Sequence, residues 1–410
     1  VIDIAVIGGG AAGLMAAISA GSGGANVHIF EGGKRCGVKI LMSGGTRCNI
    51  TNRKINPDNF FGSNRNFIKN VLHAFDENAA LSFFNSLGVK TKLEPGGKYF
   101  PVDDKAASVL DALLGKAEEA GVNINYNSKI IGIEKEGEIF ILSTRLNKIK
   151  AKKIIIAAGG KSYPSSGSDG TGYKLASTLG HSVIEPFPAL TPILLNEPEL
   201  QALSGITIPA GLTFYLNSKK VVELTGSLLF SHFGITGPAA LNISRFIEEN
   251  KNKSYELRLN FLPGTTDEKL KEKISLQRNK DGGRLVLSFL KELLPENVCR
   301  SILKISGMDM DAKFHSMKKE ETSRLIKNCV SKTLNVTGTK GFAKAEVTAG
   351  GIPLSEVKYQ TMESKVCSGL YLCGEILDVD GMIGGFNFQW AWSTGYIAGK
   401  EASRPLSWPM

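Results

Sequence analysis

The strongest constraint on the fold is a glycine turn at the start of the chain. Residues 2 to 7 read Ile-Asp-Ile-Ala-Val-Ile, an apolar run of strand length that suits a parallel strand buried on both faces. It enters Gly8-Gly9-Gly10-Ala11-Ala12-Gly13, which satisfies G-x-G-x-x-G. Gly8 permits the tight turn, Gly10 lets the backbone approach a pyrophosphate, and Gly13 lets the next helix pack closely on the strand. That helix is predicted over residues 11–22, with Ala11 and Ala12 in its first turn. Its amide groups and positive dipole end aim at phosphates. A second strand is predicted over Asn26 to Phe30. It ends at Glu31, 18 residues past Gly13, where a carboxylate accepts hydrogen bonds from adenosine ribose hydroxyls. Gly32 and Lys34 follow in the same turn. Strand, glycines, helix, second strand and acid in this order specify a dinucleotide site, without separating FAD from NAD.

The rest of the chain bounds the class of protein. At 410 residues two or three domains are expected. Lys and Arg number 49 against 39 Asp and Glu, a net charge of +10. That suits either a polyanionic partner such as RNA or a merely basic enzyme. The plainer reading is preferred, because the lysines are scattered. The six cysteines form no C-x-x-C pair, so neither a disulfide framework nor a zinc site is expected. Cys36 and Cys48 lie twelve apart, unlike the close pair of disulfide-reducing flavoenzymes. All six read as reduced thiols in a cytoplasmic protein. No apolar run approaches 18 residues, so no transmembrane helix is expected, and the histidines lack metal-ligand spacing.

Three further blocks bear on a cofactor. Residues 39–52 read Lys-Ile-Leu-Met-Ser-Gly-Gly-Thr-Arg-Cys-Asn-Ile-Thr-Asn. Taken alone this is a polar surface loop. As a cofactor loop it offers Ser43, Gly44, Cys48, Asn49 and Thr51 as donors, with Arg47 or Lys39 balancing charge. Short strands are expected at Val122 to Tyr126, Ile130 to Ile133, Ile139 to Ser143 and Ile149 to Ala151, the middle ones as a meander. Another buried strand, Ile154 to Ala158, ends in Ala157-Ala158-Gly159-Gly160, and ligands sit at such strand ends in open α/β sheets. Ile130 is counted with the cofactor residues. Near the C-terminus a strand over Gly369 to Cys373 leads to Gly374-Glu375, then Gly384-Gly385 and Phe386-Asn387-Phe388-Gln389. A helix is predicted over about 387–402. Its N-terminus would face the pyrimidine end of a flavin, where the dipole stabilises negative charge, and Glu375 would bind ribityl or ribose hydroxyls. Trp390, Trp392 and Tyr396 read as core.

Together these blocks resemble the two-dinucleotide-binding-domain flavoproteins of the glutathione reductase type. More narrowly, the chain resembles the BaiN/YhiN-like family, also called aminoacetone-oxidase-like flavoproteins, over essentially its whole length. The specific marks are the residues from Ser43 to Asn52, Phe230 to Pro238 and Gly385 to Trp392. Val38 stands where the family usually has a basic residue, and Thr46 where it usually has glycine. The resemblance implies non-covalent FAD and a discontinuous FAD domain, interrupted by a small β-barrel and a helical portion. It also implies one of several reactions: oxidation of aminoacetone, reduction of a bile-acid enone, or reduction of a ribosomal RNA uridine to dihydrouridine.

The expected fold is therefore α/β. A Rossmann-like FAD-binding domain, with a parallel sheet plus a β-meander, spans 1–190 and 344–410. A β-barrel-like insert spans 191–264 and 332–343, and a helical subdomain spans 265–331. Clustered prolines after Pro186 disfavour long helix there. Strands are expected at Leu212 to Leu216, Val221 to Leu224, Val336 to Thr339 and Ala343 to Thr348. Helices are expected at Asp267 to Ile274, Gly283 to Leu294, Glu296 to Ser306 and Lys319 to Ser331. His232 is either a proton donor near the flavin or a buried histidine bonded to backbone. Phe289 and Phe314 are the only aromatic residues between Phe261 and the end of the helices, little for RNA stacking. No second G-x-G-x-x-G occurs, so NAD(P)H would bind transiently over the flavin. The expectation is an FAD-dependent reductase using NAD(P)H on an unsaturated substrate. The alternatives are an rRNA uridine reductase, an amine oxidase and a non-enzymatic electron carrier. Partners are a small molecule or ribosomal RNA, with no membrane.

Overall fold

The computed structural model describes residues 1–404. Strand β1 (Ile2–Ile7) pairs in parallel with β2 (Val27–Phe30) on one side and with a long strand, Lys148–Ile156, on the other. Between β1 and β2 runs helix α1 (Ala11–Ser22), the right-handed crossover that a parallel pair requires. The short strand Asn123–Asn125 extends the sheet beyond β2.

The long strand joins two kinds of sheet. Residues 148–151 pair antiparallel with Ile139–Ser143, the middle of a meander that continues to Gly132–Glu136. Residues 154–156 instead pair in parallel with Leu370–Leu372. The sequence Lys-Ile-Lys-Ala-Lys-Lys-Ile-Ile-Ile follows this change. It alternates where one face meets water and becomes continuously apolar where both faces are covered. The two strands expected at 149–151 and 154–158 are therefore one, and Ala157 and Ala158 lie just beyond its end.

The helix Phe386–Ala402 packs across α1. The approach is backbone to backbone. A Cβ on Gly395 would lie 2.5 Å from the Ala12 carbonyl, and one on Gly399 would overlap the Ala16 carbonyl. Trp390 and Trp392 are core residues on this helix, at 2% and 0% exposure. Tyr396 stacks on Phe75 at 4.7 Å.

Residues 39–52 are not a surface loop. They form α2 (Val38–Thr46), broken at Ser43, Gly44 and Gly45, and then a strand, Thr51–Asn52, beside the hairpin Thr91–Glu94 and Lys98–Pro101. The break needs left-handed backbone at Gly44 (φ 56°), Gly45 (φ 69°) and Thr46 (φ 68°). Glycine adopts this without strain and a β-branched residue does not. Residues 53–121 contain helices Arg65–Ala74, Glu77–Ser86 and Ala106–Glu119.

The chain divides into two compact units, Val1–Pro188 with the chain from Glu346 onward, and Ala189–Ala345. The second unit carries a seven-stranded sheet in the order 332–333, 255–260, 207–216, 219–231, 234–236, 193–195, 336–339. Its two outermost strands, Lys332–Thr333 and Val336–Thr339, are separated by two residues. Two residues and their flanking bonds span no more than about 10 Å, so the sheet edges curl together as in a barrel. Helices Asp267–Lys280, Val286–Leu290, Glu296–Ile305 and Lys319–Val330 belong to the same unit.

The helix contact gives the first prediction. Gly399→Ala should cost about 1–3 kcal/mol through overpacking, read as a lowered midpoint of chemical unfolding. Gly115→Ala, in an exposed helix position where an added Cβ meets nothing within 4 Å, should gain about 0.5–1 kcal/mol. Equal effects at the two sites would contradict the backbone contact.

Candidate dinucleotide site

The first cluster is built by the glycine turn. A Cβ on Gly8 (φ 101°) would lie 2.6 Å from the Ala157 carbonyl, and one on Gly13 would overlap the Gly8 carbonyl. Both glycines are thus required by packing of strand ends and helix. Gly10 differs, because its Cβ would meet nothing within 4 Å. Its backbone faces open space at the N-terminus of α1, which no side chain caps. The first-turn N–H groups, those of Ala11, Ala12 and Gly13 among them, have no intrahelical acceptor. Such an end favours an anion. At the tip of β2 the Glu31 carboxylate accepts from Gly9 N–H at 2.9 Å and Gly33 N–H at 2.7 Å. Each oxygen keeps a further lone pair for a ligand hydroxyl. Gly32 lies against the Lys129 side chain, one residue before buried Ile130, while Lys34 points to solvent.

The second cluster joins three distant parts of the chain. The Lys39 ammonium, in the first turn of α2, donates to Ser162 Oγ and pairs with Glu375 Oε2, both at 2.7 Å. Glu375 Oε1 accepts from Ser162 Oγ at 2.5 Å and from Thr348 N–H at 2.8 Å. Thr348 Oγ1 in turn accepts from the Lys161 and Ser162 N–H groups. The close approach needs Gly160, whose Cβ would overlap Thr348 Oγ1, and Gly159 (φ 70°), whose Cβ would overlap Ser168 Oγ. Gly374 packs against Ala12, and Thr394 and Trp390 hold its N–H and carbonyl. Ser162 and Thr348 are absent from the sequence-based site. Only the small-residue strand end at 157–160 pointed near them.

The third cluster surrounds the N-terminus of the helix Phe386–Ala402, capped by no side chain and entered through Gly385 (φ 96°). Asn52 Nδ2 donates to the Gly384 and Gly96 carbonyls, and Asn387 bonds both the N–H and the carbonyl of Gly381. Ser43, Gly44 and Asn49 lie at the break of α2, where Gly44 packs against Asn49. Phe386 is buried against Phe60 in an edge contact.

Other expected residues have structural partners. The Arg47 guanidinium binds Glu94 and Asp104 and lies 4.0 Å over the Phe100 ring, and these carboxylates satisfy its charge. Cys48 is wholly buried, and Thr51 Oγ1 donates to Gln389 Oε1 at 2.6 Å. Phe388 stacks on Trp392. Burial pushes the Cys36 and Cys48 thiols up to about 12, so neither holds thiolate at neutral pH to act as a redox nucleophile. His232 is neither buried nor bonded to backbone as a core histidine would be. It is exposed in the turn between the strands ending at Ser231 and starting at Gly234, with its ring edge-on to Phe233. Buried His181, which carried no signal in the sequence, bridges Glu356 Oε2 and Ser364 Oγ at 2.7 Å each. Among the described residues no helix is long and apolar enough to cross a membrane.

The donor set fits FAD. An uncapped helix end beside an open glycine suits the pyrophosphate, and the oriented Glu31 carboxylate suits a ribose. A second uncapped helix end suits the electron-rich edge of a flavin. The fit yields a paired test. Gly10→Ala should fold normally and bind FAD at least about 10-fold more weakly, whereas Gly13→Ala should unfold at lower denaturant. Unchanged FAD affinity in a folded Gly10→Ala protein would place the phosphates elsewhere.

Residues 2–401 match the family model described as the HI0933-like protein Rossmann domain. A 3-dehydro-bile acid delta(4,6)-reductase from Clostridium scindens is 34% identical over 404 residues, 98% of each chain. A ribosomal RNA dihydrouridine synthase from Escherichia coli is 32% identical over 402 residues, 97% of each chain. Among solved structures, 3-ketosteroid-delta4-(5alpha)-dehydrogenase from Rhodococcus jostii superimposes with a TM-score of 0.50 at 16% identity, covering 98% of this chain and 97% of that one, which shows a shared fold. The chain belongs to the HI0933-like family of Rossmann-fold, FAD-dependent oxidoreductases.

Proposed function

We propose that this protein reduces a carbon–carbon double bond conjugated to a carbonyl, taking its electrons from NAD(P)H. The observation that carries this reading is full-length kinship with two enzymes whose names describe such a saturation. A 3-oxo-delta(4,6) steroid and a uridine ring share that chemical unit. When bound, FAD supplies the hydride. The chain's own residues then have three tasks. The N-terminus of α1 and Glu31 hold the adenosine diphosphate half. Lys39, Ser162 and Glu375 orient the chain that links it to the ring. A proton must also be held for the second carbon of the product.

Two side chains are candidates for that proton. His232 lies in an exposed turn beside Phe233, itself covered by the Lys340 ammonium at 3.4 Å. Glu346 stands immediately before the strand Val347–Gly351 and is exposed as a residue. Desolvation nonetheless raises its carboxyl above the ordinary range, opposed by Lys98. A raised carboxyl keeps its proton to higher pH, which suits a general acid. The rate should therefore fall as pH rises through the Glu346 pKa. Glu346→Gln should lower turnover about 100-fold or more and flatten that limb. An unaltered pH profile in this variant would transfer the role to His232, for which His232→Gln is the matching test.

The reductase reading is tested by rapid mixing of holoprotein with NADH and NADPH under anaerobic conditions. Bleaching of the flavin by one of them, followed by reoxidation on an added enone, is expected. No bleaching, together with oxygen uptake on an amine, would instead establish an oxidase. Kinship with the dihydrouridine synthase makes RNA a second substrate class. RNA binding would weaken steeply as salt is raised.

A further inference from the structure

Asn49 is 8% exposed, and its Oδ1 has no hydrogen-bond partner. Its neighbours in the same cluster are satisfied. Asn52 bonds Gly384 and Gly96, Asn387 bonds Gly381, and Gln389 bonds Thr51 and Phe75. An acceptor left unpaired in a buried place carries an uncompensated desolvation cost, which a donor arriving with a ligand would remove.

The position of this oxygen indicates which ligand. A Cβ on Gly385, the residue before the helix Phe386–Ala402, would lie 2.9 Å from Asn49 Oδ1. The orphan acceptor therefore sits beside an uncapped helix N-terminus, a 17-residue helix whose first N–H groups are donors without intrahelical acceptors. The two features together present helix-end donors beside an acceptor. The complementary ligand edge carries a donor beside an acceptor. A cyclic imide has such an edge, and in isoalloxazine it is formed by N3–H with a neighbouring carbonyl, O2 or O4.

We infer that Asn49 Oδ1 accepts the hydrogen bond from N3–H of the flavin ring, and so fixes which edge of the ring faces the C-terminal helix. This rests on the FAD reading above. It makes Asn49 a cofactor-orienting residue, distinct from the phosphate and ribose contacts of α1 and Glu31. Side-chain acceptors at this position discriminate against any ring that lacks the imide hydrogen.

The test is a competition. Holoprotein is equilibrated with equal amounts of FAD and its 3-methyl analogue, in which the imide hydrogen is replaced. Protein-bound flavin is then released and identified by mass. The wild-type protein should retain FAD over 3-methyl-FAD by about 10-fold or more, as expected for loss of one buried hydrogen bond. Asn49→Ala should lower that preference to within about 3-fold. Asn49→Asp keeps an acceptor at the site and should preserve the preference, which separates loss of the bond from damage to the fold. Equal uptake of the two flavins by the wild type, or an undiminished preference in Asn49→Ala, overturns the inference while leaving FAD binding intact. Failure of the wild type to hold either flavin would instead overturn the FAD reading and this inference with it.

Discussion

The site depends on two helices touching without side chains between them. Gly395 and Gly399 let the C-terminal helix lie on the carbonyls of Ala12 and Ala16. Ala12 is in the first turn of α1, the turn that faces the proposed pyrophosphate, and Gly374 packs against the same residue. A single alanine thus meets the start of one cofactor block and the middle of another. The N-terminus of the C-terminal helix begins nine residues before Gly395, about 14 Å along the helix at 1.5 Å per residue. Two uncapped helix ends are held apart by rigid structure, as an elongated dinucleotide with a charged middle and a polar ring requires. Larger residues at 395 or 399 would shift this spacing before they disturbed any cofactor contact.

The second brace is electrostatic. Glu375 is only partly exposed and would be costly if it stood alone, since a carboxylate partly removed from water needs a partner. Here Lys39 neutralises it, while Ser162 and the Thr348 N–H fill its lone pairs. These four residues come from α2, the loop after the long strand, the strand Val347–Gly351 and the segment that follows Leu370–Leu372. Their mutual satisfaction holds four chain segments in register. It leaves the cluster polar enough for ribityl hydroxyls to exchange with existing bonds.

What the sequence made legible was local. The glycine turn, the α1 helix and Glu31 follow one another within 31 residues, and each carries its own physical signature. Arg47 shows the opposite case. Its charge suggested a phosphate, but its partners Glu94 and Asp104 lie 47 and 57 residues further along the chain, at the end of a hairpin strand and in a turn, and only the fold brings them to it. The break in α2 was hidden for a similar reason. Val38 to Met42 form a helical turn, while Ser43, Gly44 and Gly45 interrupt it, and the polar composition read as loop throughout. Thr46 becomes intelligible only with its φ of 68° known. A position that needs left-handed backbone explains why the family usually has glycine there.

The two halves of the functional question differ in how they are written into the chain. The proposed phosphate contacts are made by backbone N–H groups at a helix end, and the turns that present them need only glycine and small residues. Such a cradle survives extensive exchange of side chains, and 32–34% identity to the reductase and the synthase is ample to preserve it. Substrate recognition has no comparable backbone device, because a steroid and a nucleotide share one conjugated carbonyl and little else. It must be carried by side chains, which are free to change while the cradle persists. The redox carrier is thus inherited with the backbone. The choice of substrate is left to side chains, whose chemistry is adjustable without disturbing the glycine framework.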